Sequence, residues 1–491
     1  NIMVLDKDIE KVFKTIKNKY GNSSDIVTRI IEKNNKKIGY VYLESVSSDD
    51  KISNFLNKSI VNLEKNKLFT SLYTTINNSI FNSNLKSCNT YEELFRYLSS
   101  GFTAIITNDK NKAIVVETKA CLDRGVSESS SETIVRGPKD SFTENHSTNL
   151  GLIRKRIKDE NLWYEDVLVG RRTKTKVTVA YIKDIVEDYK INIILDKLNN
   201  IDIDGILDSG YIRELIEGNE KTIFPKVISS ERPDLACTSL LNGKIVILVE
   251  NTPFVLILPA LLTDFIHSPE DNYQKPVNVS FSRIVRTICF FLSLITPALY
   301  IALMTFNQEI IPDQLLISLA IQREGVPFPT VIEVLIFMIT FDVLREADIH
   351  SPSFSGSAMN VVGALILGDA AVAAGVVSPI VIIIVATTSI SELVFYDIDI
   401  IDGIREWRFI FVVASTFLGI IGFTAIFIIF IAKMCSIECL GTPYLTPFSP
   451  LNIKGLKDSI IRVSRKKLKT RPSYLTKNTV RMSDNYEKNN N

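Results

Sequence analysis

The stretch "VPFPTVIEVLIFMITFDVLREADIHSP", Val326–Pro352, is apolar enough to enter a membrane, yet it carries Glu333, Asp342, Arg345, Glu346 and Asp348. A charge at the bilayer centre costs at least ~2.5–3.5 kcal/mol on insertion scales, so such residues face a protein interior or water. On a helix, Asp342, Arg345 and Glu346 fall at i, i+3 and i+4 and share one face. Glu333 stands earlier, roughly 180° away at 100° per residue. The charges are therefore not one amphipathic stripe. Arg345 is expected to neutralise Asp342 or Glu346 locally, while Glu333 needs a separate partner or water. Two readings stay open: an interfacial helix with snorkelling ends, and a polar element packed inside an assembly beside an aqueous path.

Around this stretch the chain changes character. Up to about Ser280 it is polar and rich in Asn, Lys and Ile, and from Phe281 to about Pro450 it is strongly apolar. A basic segment, "KGLKDSIIRVSRKKLKTRPSY" (454–474), follows. Four uncharged runs, 287–308, 349–368, 370–391 and 409–432, approach the roughly 20 apolar residues that a span needs. The second qualifies only if its polar start is sheltered, and 329–347 is a fifth candidate that makes a poor lipid-facing helix. Arg283 and Arg286 precede the first run, and Lys and Arg crowd the C-terminal segment. The positive-inside rule then puts both ends in the cytoplasm and requires an even number of spans. Four spans plus one amphipathic or re-entrant piece fit, and six fit only if some segments are short.

Within 360–375, Ala364, Gly368, Ala371 and Gly375 recur at helical spacing, which lets helices approach closely. Asp369 interrupts that surface. The segment reads either as a buried packing helix or as a pore lining in a closed ring of copies. In the pore reading Val361, Val362 and Leu365, next to Asn360, form an apolar constriction that gates by dewetting. Asp369 then supplies a ring of charge favouring cations.

The polar half alternates helical and strand patterns, predicting a mixed α/β region of two subdomains. "TYEELFRYLSSG" (90–101) opens with a helix-start signature, Thr90 with Glu93 three residues later. "FTAIITNDKNKAIVVET" (102–118) reads as two strands joined through Asn108–Asn111. The boundaries drawn are 1–125 and 126–278 for the subdomains, 279–450 for a helical membrane domain of four to six segments, and 451–491 for a basic cytoplasmic tail.

Chemistry is sparse. Lys and Arg number 56 against 55 Asp and Glu, a balance that gives no reason to expect nucleic acid as a partner. No phosphate loop, dinucleotide fingerprint or nucleophile elbow occurs, and three scattered histidines form no metal motif. No enzyme activity and no cofactor are expected. Six cysteines make neither a disulfide framework nor a zinc pattern and suit a reducing compartment. No signal peptide is evident, and an opening Asn1 leaves the natural start open. No internal repeat is visible. Two charged stretches exceed plain scaffold needs: Arg171, Arg172 and Lys174 in "GRRTKTKV" (170–177), and Glu231, Arg232 and Asp234 in "SSERPDLA" (229–236). They read as a solvated face and a capped turn, or as a docking surface.

The motifs "REGVPFP" (323–329), "LREADI" (344–349), "VVGALILGDAAVAAGVVSP" (361–379) and "GTPYLTPFSP" (441–450) resemble the A subunits of GerA-type spore germination receptors. "KTKVTVAYIKDI" (174–185), "ERPD" (231–234), "PFVLILPA" (253–260) and "SPEDNY" (268–273) extend the resemblance over most of residues 130–472. It implies a nutrient-sensing complex in the spore inner membrane, with a transporter-like B subunit and a lipoprotein C subunit. It further implies a cytoplasmic two-part N-terminal region and self-association into a ligand-gated cation channel. A non-conducting scaffold that relays a signal is the alternative. Two features depart from the family pattern: Asn251, where glycine is common, and the acidic residues Glu392, Asp397 and Asp399 of "SISELVFYDIDI" (389–400).

Overall fold

The computed structural model describes residues 3–33, 36–54, 72–79, 85–120, 132, 134–218, 222–350 and 368–482. Helices and strands alternate up to Ile266, and the described residues from Pro276 to Ser436 are helical apart from their connections. The mixed α/β region followed by a helical one is the class the sequence predicts.

The first subdomain runs α1 (Ile9–Lys19), β1 (Ile26–Lys33), β2 (Lys36–Leu43), α2 (Leu72–Ser79), β3 (Leu85–Cys88), α3 (Tyr91–Leu98), β4 (Phe102–Thr107) and β5 (Ala113–Glu117). Helix α1 forms because Ile9, Val12, Phe13 and Ile16 recur on one face and the Asp8 carboxylate accepts from the Glu10 N–H at its start. Thr90 caps α3 by accepting from the Glu93 N–H. The antiparallel sheet has the order β1-β2-β4-β5-β3. Side chains of β4 alternate: Phe102, Ala104 and Ile106 meet α1 and α3, while Ile105 meets Tyr73 and Ile76 of α2. Both faces of the sheet are thus covered.

The second subdomain runs α4 (His146–Arg156), β6 (Leu162–Val169), β7 (Thr175–Ile182), α5 (Asp188–Asn199), α6 (Ser209–Glu217), β8 (Ile228–Ser230), α7 (Pro233–Leu241), β9 (Ile245–Val249) and β10 (Val255–Leu258). Its sheet order, β6-β7-β9-β10-β8, repeats the first strand for strand. The repeat is one of strand order, which no local sequence pattern records. Asn251 turns β9 into β10 at φ +66°. Asn is among the few non-glycine residues that visit this region readily, which accounts for its standing where glycine is common. The subdomains meet around Arg154, which donates to Asp25 from Nη2 to Oδ1 at 3.0 Å and from Nε to Oδ2 at 3.2 Å. The hydroxyls of Ser23 and Ser45 also donate to Asp25.

The helical region comprises α8 (Leu262–Ile266), α9 (Pro276–Thr305), α10 (Asp313–Arg323), α11 (Thr330–His350), α12 (Pro379–Glu392) and α13 (Ile398–Ser436). One face of the second sheet, through Val246, Leu248, Val255 and Ile257, shares a continuous core with Phe290, Trp407 and Phe430 of α9 and α13. Among the described residues, two helices, α9 and α13, are long and apolar enough to cross a membrane. Helix α13 is broken, however, at Gly419 (φ 57°, ψ −138°). The Trp407 and Phe430 rings lie 5.1 Å apart and Phe411 stands 6.4 Å from Phe427, whereas 23 residues of straight helix would separate the first pair by about 34 Å. The two arms, 398–418 and 420–436, are therefore antiparallel.

Three expectations change. The run 409–432 is not one span but the turn of this hairpin. The run 370–391 is interrupted, with Gly375 at φ +66° and Ser378 capping α12. The stretch 329–347, the doubtful fifth candidate, is a 21-residue helix, α11. Most of the run 349–368 lies outside the described residues. The basic C-terminal segment also departs from the boundary drawn at 451, for it is packed on the second subdomain. Leu475 is buried and its carbonyl accepts from Lys190 Nζ at 2.9 Å. Thr476 donates to the Ile185 carbonyl, and Arg283 of α9 reaches the Asp458 carbonyl at 2.8 Å.

Candidate functional site

Where α11, α12 and the first arm of α13 meet, six charges come together. Arg408 pairs with Glu392 and lies 3.5 Å from Asp342. Arg345 reaches Asp402 at 3.1 Å and Glu392 at 3.8 Å, and Arg405 reaches Asp402 at 3.2 Å. Among the described residues of this cluster, three carboxylates face three guanidinium groups. Arg408 and Glu392 are buried, and burial of charge is tolerated only when partners compensate it. The intrahelical pairing of Asp342 with Arg345 expected from their spacing does not occur: both turn to α13, and Arg345 also reaches α12. Glu346 is exposed on α11.

Glu333 belongs to a second, separate site at the other end of α11. Its Oε2 accepts from the Ser378 N–H at 2.9 Å and the Ser378 hydroxyl at 2.8 Å, while Arg323 stands 3.4 Å from Oε1. Glu333 thereby ties the start of α11 to the start of α12 and to α10. The need for a separate partner was legible in the sequence, but the partner was not.

The acidic departures in "SISELVFYDIDI" all acquire contacts. Glu392 joins the six-charge cluster. Asp397 caps α13, accepting from the Asp399 N–H at 2.9 Å. Asp399 forms an ion pair with Arg213 of α6, with Nη2 to Oδ1 at 3.0 Å. That pair joins the second subdomain directly to the first arm of α13.

The sequence reading missed Arg405, Arg408, Asp402 and Arg213. Arg405 and Arg408 had a signal, standing one turn apart just before an uncharged run, but they resemble ordinary flanking charges. Asn360, Val361, Val362 and Leu365 lie outside the described residues. Asp369 is described and exposed, and among the described residues no cation stands within ion-pair distance of it.

The two charged stretches of the soluble half are not brought together as one surface. Arg171 pairs with Asp202, and Arg172 with Asp204 at 2.9 Å, so two of the three exposed cations are already answered by carboxylates. Lys174 is exposed at φ +47°. Arg232, in contrast, is 1% exposed and donates to Asp234 at 3.0 Å and to the Pro138 carbonyl at 3.0 Å. Asp234 also accepts from the Tyr273 hydroxyl at 2.7 Å, and the Glu231 carbonyl accepts from the Phe142 N–H at 2.7 Å. Glu231, Arg232 and Asp234 are buried, so this turn is an internal brace. Ser230 donates to Glu132 at 2.8 Å, and burial pushes the Glu132 carboxyl up to about 7.

Residues 14–474 match the family profile described as Bacillus/Clostridium GerA spore germination protein. The chain is 36% identical over 464 residues to spore germination protein KA of Bacillus subtilis (strain 168), covering 94% of this chain and 85% of that protein. It is 31% identical to spore germination protein GerLA of Bacillus cereus, covering 96% of this chain and 97% of that one. The crystal structure of the N-terminal domain of the A subunit of the Bacillus megaterium spore germinant receptor GerK3 is 35% identical, covers 53% of this chain and 98% of its own, and superposes with a TM-score of 0.43. A family match over residues 14–474, with relatives more than 30% identical along most of their own length, makes the chain a member of the GerA family of spore germination proteins, the A subunits of germinant receptors.

Proposed function

We propose that the chain is the membrane subunit of a nutrient receptor that triggers endospore germination, and that copies of it assemble into a ligand-gated cation channel in the spore inner membrane. The observation that carries the channel is Asp369. An exposed carboxylate among apolar helices, with no cation beside it among the described residues, needs water or a neighbouring copy. A ring of such carboxylates favours cations. Val362 and Leu365, which lie outside the described residues, are the residues proposed from the sequence as the gate.

The membrane placement is supported by the outward faces of the helices. Phe281, Ile288, Ile339, Val343, Phe417 and Ile428 are exposed large apolar residues, a surface that water does not favour. The arms of α13 measure about 31 Å and about 26 Å, close to the hydrocarbon thickness of about 30 Å. With α9, α11 and α12 they make five candidate crossings among the described residues, and an even total of six, within the four to six expected, leaves the N-terminal region and the C-terminal segment together on the cytoplasmic side. The transporter-like B subunit and the lipoprotein C subunit are the proposed partners, and the exposed loop of Arg171, Arg172 and Lys174 is a proposed docking point.

The alternative is a non-conducting relay. The Arg213–Asp399 pair favours it, since that contact links the soluble half to a membrane helix without any pore. Cation flux through liposomes containing the purified chain separates the two. Wild-type flux with cation preference, weakened in Asp369→Asn and made leaky at rest by Val362→Ser, is expected of the channel. Assembled protein with no flux, or with selectivity unmoved by Asp369→Asn, overturns it.

A further inference from the structure

The C-terminal segment does not simply cover the second subdomain; it encloses a cavity of about 490 Å³ against α8 and the end of α7. That size lies within the range of small-ligand sites. Its lining is strongly basic. Lys454, Lys457, Lys467, Arg471 and Arg481 all contribute, drawn from separate stretches of the segment.

Two carboxylates also line it, and both are engaged. Asp264 accepts from Lys244 Nζ at 2.6 Å and from the Leu261 N–H at 2.7 Å. Asp458 pairs with Arg283 at 3.2 Å. The five cations have no carboxylate within ion-pair distance among the described residues. Arg471 spends its donors on neutral acceptors, the carbonyls of Leu241 at 2.9 Å and Asn478 at 3.3 Å. Arg481 donates to the Asn242 side-chain oxygen at 2.5 Å. Neither guanidinium has a carboxylate in direct contact among the described residues, and Asp458 compensates Arg481 only from a distance. Arg481 feels this: burial lowers its pKa, and Arg471 and Arg465 lower it further against the pull of Asp458.

Like charges gathered around a partly enclosed space repel one another unless an anion enters. Guanidinium and ammonium groups from several stretches of the segment line one space, and a multiply charged tetrahedral oxyanion answers such a set of cations. We propose that this cavity binds a phosphate group, borne either by a soluble phosphorylated compound or by a phospholipid headgroup. Binding there fastens the C-terminal segment to the second subdomain, since the donors lie on the former and the walls include the latter.

The test uses the full-length protein in phosphatidylcholine nanodiscs. Inorganic phosphate is titrated at constant ionic strength with chloride as the balance, and thermal unfolding is the readout. Phosphate is expected to raise the melting temperature saturably. Lys454→Gln and Lys467→Gln, both exposed positions that should fold normally, should weaken the apparent affinity at least tenfold together. Lys466→Gln, beside the cavity but not lining it, should leave it unchanged. In discs containing phosphatidylglycerol, disappearance of the phosphate response, with a higher starting melting temperature that the double variant lacks, assigns the site to lipid. A phosphate response undiminished in those discs assigns it to a soluble compound. Absence of any phosphate response in phosphatidylcholine discs, or a response equal in wild type and the double variant, overturns the proposal.

Discussion

Replacing Arg154 with alanine removes the guanidinium that joins the two α/β subdomains. Asp25 then keeps its two serine donors but loses every positive partner, in a site where its side chain is 2% exposed and that of Arg154 fully buried. Breaking a buried pair in this way costs ~3–5 kcal/mol, most of it the stranded charge. Arg154 also loses its place 4.6 Å over the Tyr164 ring and its bond to the Leu162 carbonyl at 3.0 Å, so the upper half of the range is expected. With a urea m-value of ~1–3 kcal/mol/M, the midpoint for the soluble half moves down by at least ~1 M. Removing Asp25 as well should restore part of the loss, because no orphan charge remains. A natural reporter is at hand. The chain has two tryptophans, and Trp163 spans the same interface, its indole N–H donating to the Lys19 carbonyl at 3.3 Å. Urea unfolding of the detergent-solubilised chain, followed by Trp163 fluorescence in a Trp407→Phe background, measures the effect. If Arg154→Ala unfolds within ~1 kcal/mol of wild type, the pair is solvated and the subdomains are not joined as described.

Glu132 carries a pH signature. Burial raises its carboxyl from 4.5 to about 7, outweighing the Ser230 hydrogen bond and the Arg232 charge. The folded state therefore binds a proton that the unfolded state releases, so this contribution is full below about 4.5 and is lost as pH rises through about 7. Glu132→Gln should flatten the fall in melting temperature across that window, and an unchanged slope would count against a buried acid. Gly419→Ala should cost ~1–3 kcal/mol, because the backbone there is open only to glycine and the new Cβ would meet Phe306 Cβ at 2.7 Å. The amount of folded protein in membranes reports it, and wild-type amounts would argue against the hairpin. Arg408→Ala should lower membrane abundance, and Glu392→Gln added to it should recover part of the loss; a silent Arg408→Ala would mean that the cluster is hydrated. Arg213→Ala should leave abundance intact and slow the germination response of spores, a normal response denying the Arg213–Asp399 contact any part in signalling.

Much of the soluble fold could be read from the chain, because its signals are local. Alternating apolar residues, the Thr90 cap and the Asn108–Asn111 turn each act within a few residues, and each appears where the pattern predicts. The helical region resisted the same reading. A run of apolar residues such as 409–432 says that a segment is buried or in lipid, but one glycine decides whether it continues or doubles back. Charge pairing was misjudged for a related reason. Spacing shows which charges share a helix face, yet Asp342 and Arg345 find better partners on α12 and α13, whose approach no sequence interval records. Arg232 and Asp234 look like surface chemistry in the sequence, since a short charged turn and a buried brace have the same composition.

The packing of Leu475 and Thr476 against α5 and the end of β7 bears on how the protein is made. The ribosome releases the second subdomain long before residues 459–476 exist, and the whole helical region is translated in between. Until then the ammonium of Lys190 lacks the Leu475 carbonyl that it meets in the finished molecule, and the wall beside it stands open. The nascent soluble half is therefore incomplete, and the last stretch translated closes it. A chain truncated shortly before residue 475 by a frameshift or a protease would fail at a site nearly three hundred residues upstream. Quality control in the forming spore would meet that damage as an exposed seam in the soluble half, not as a missing end.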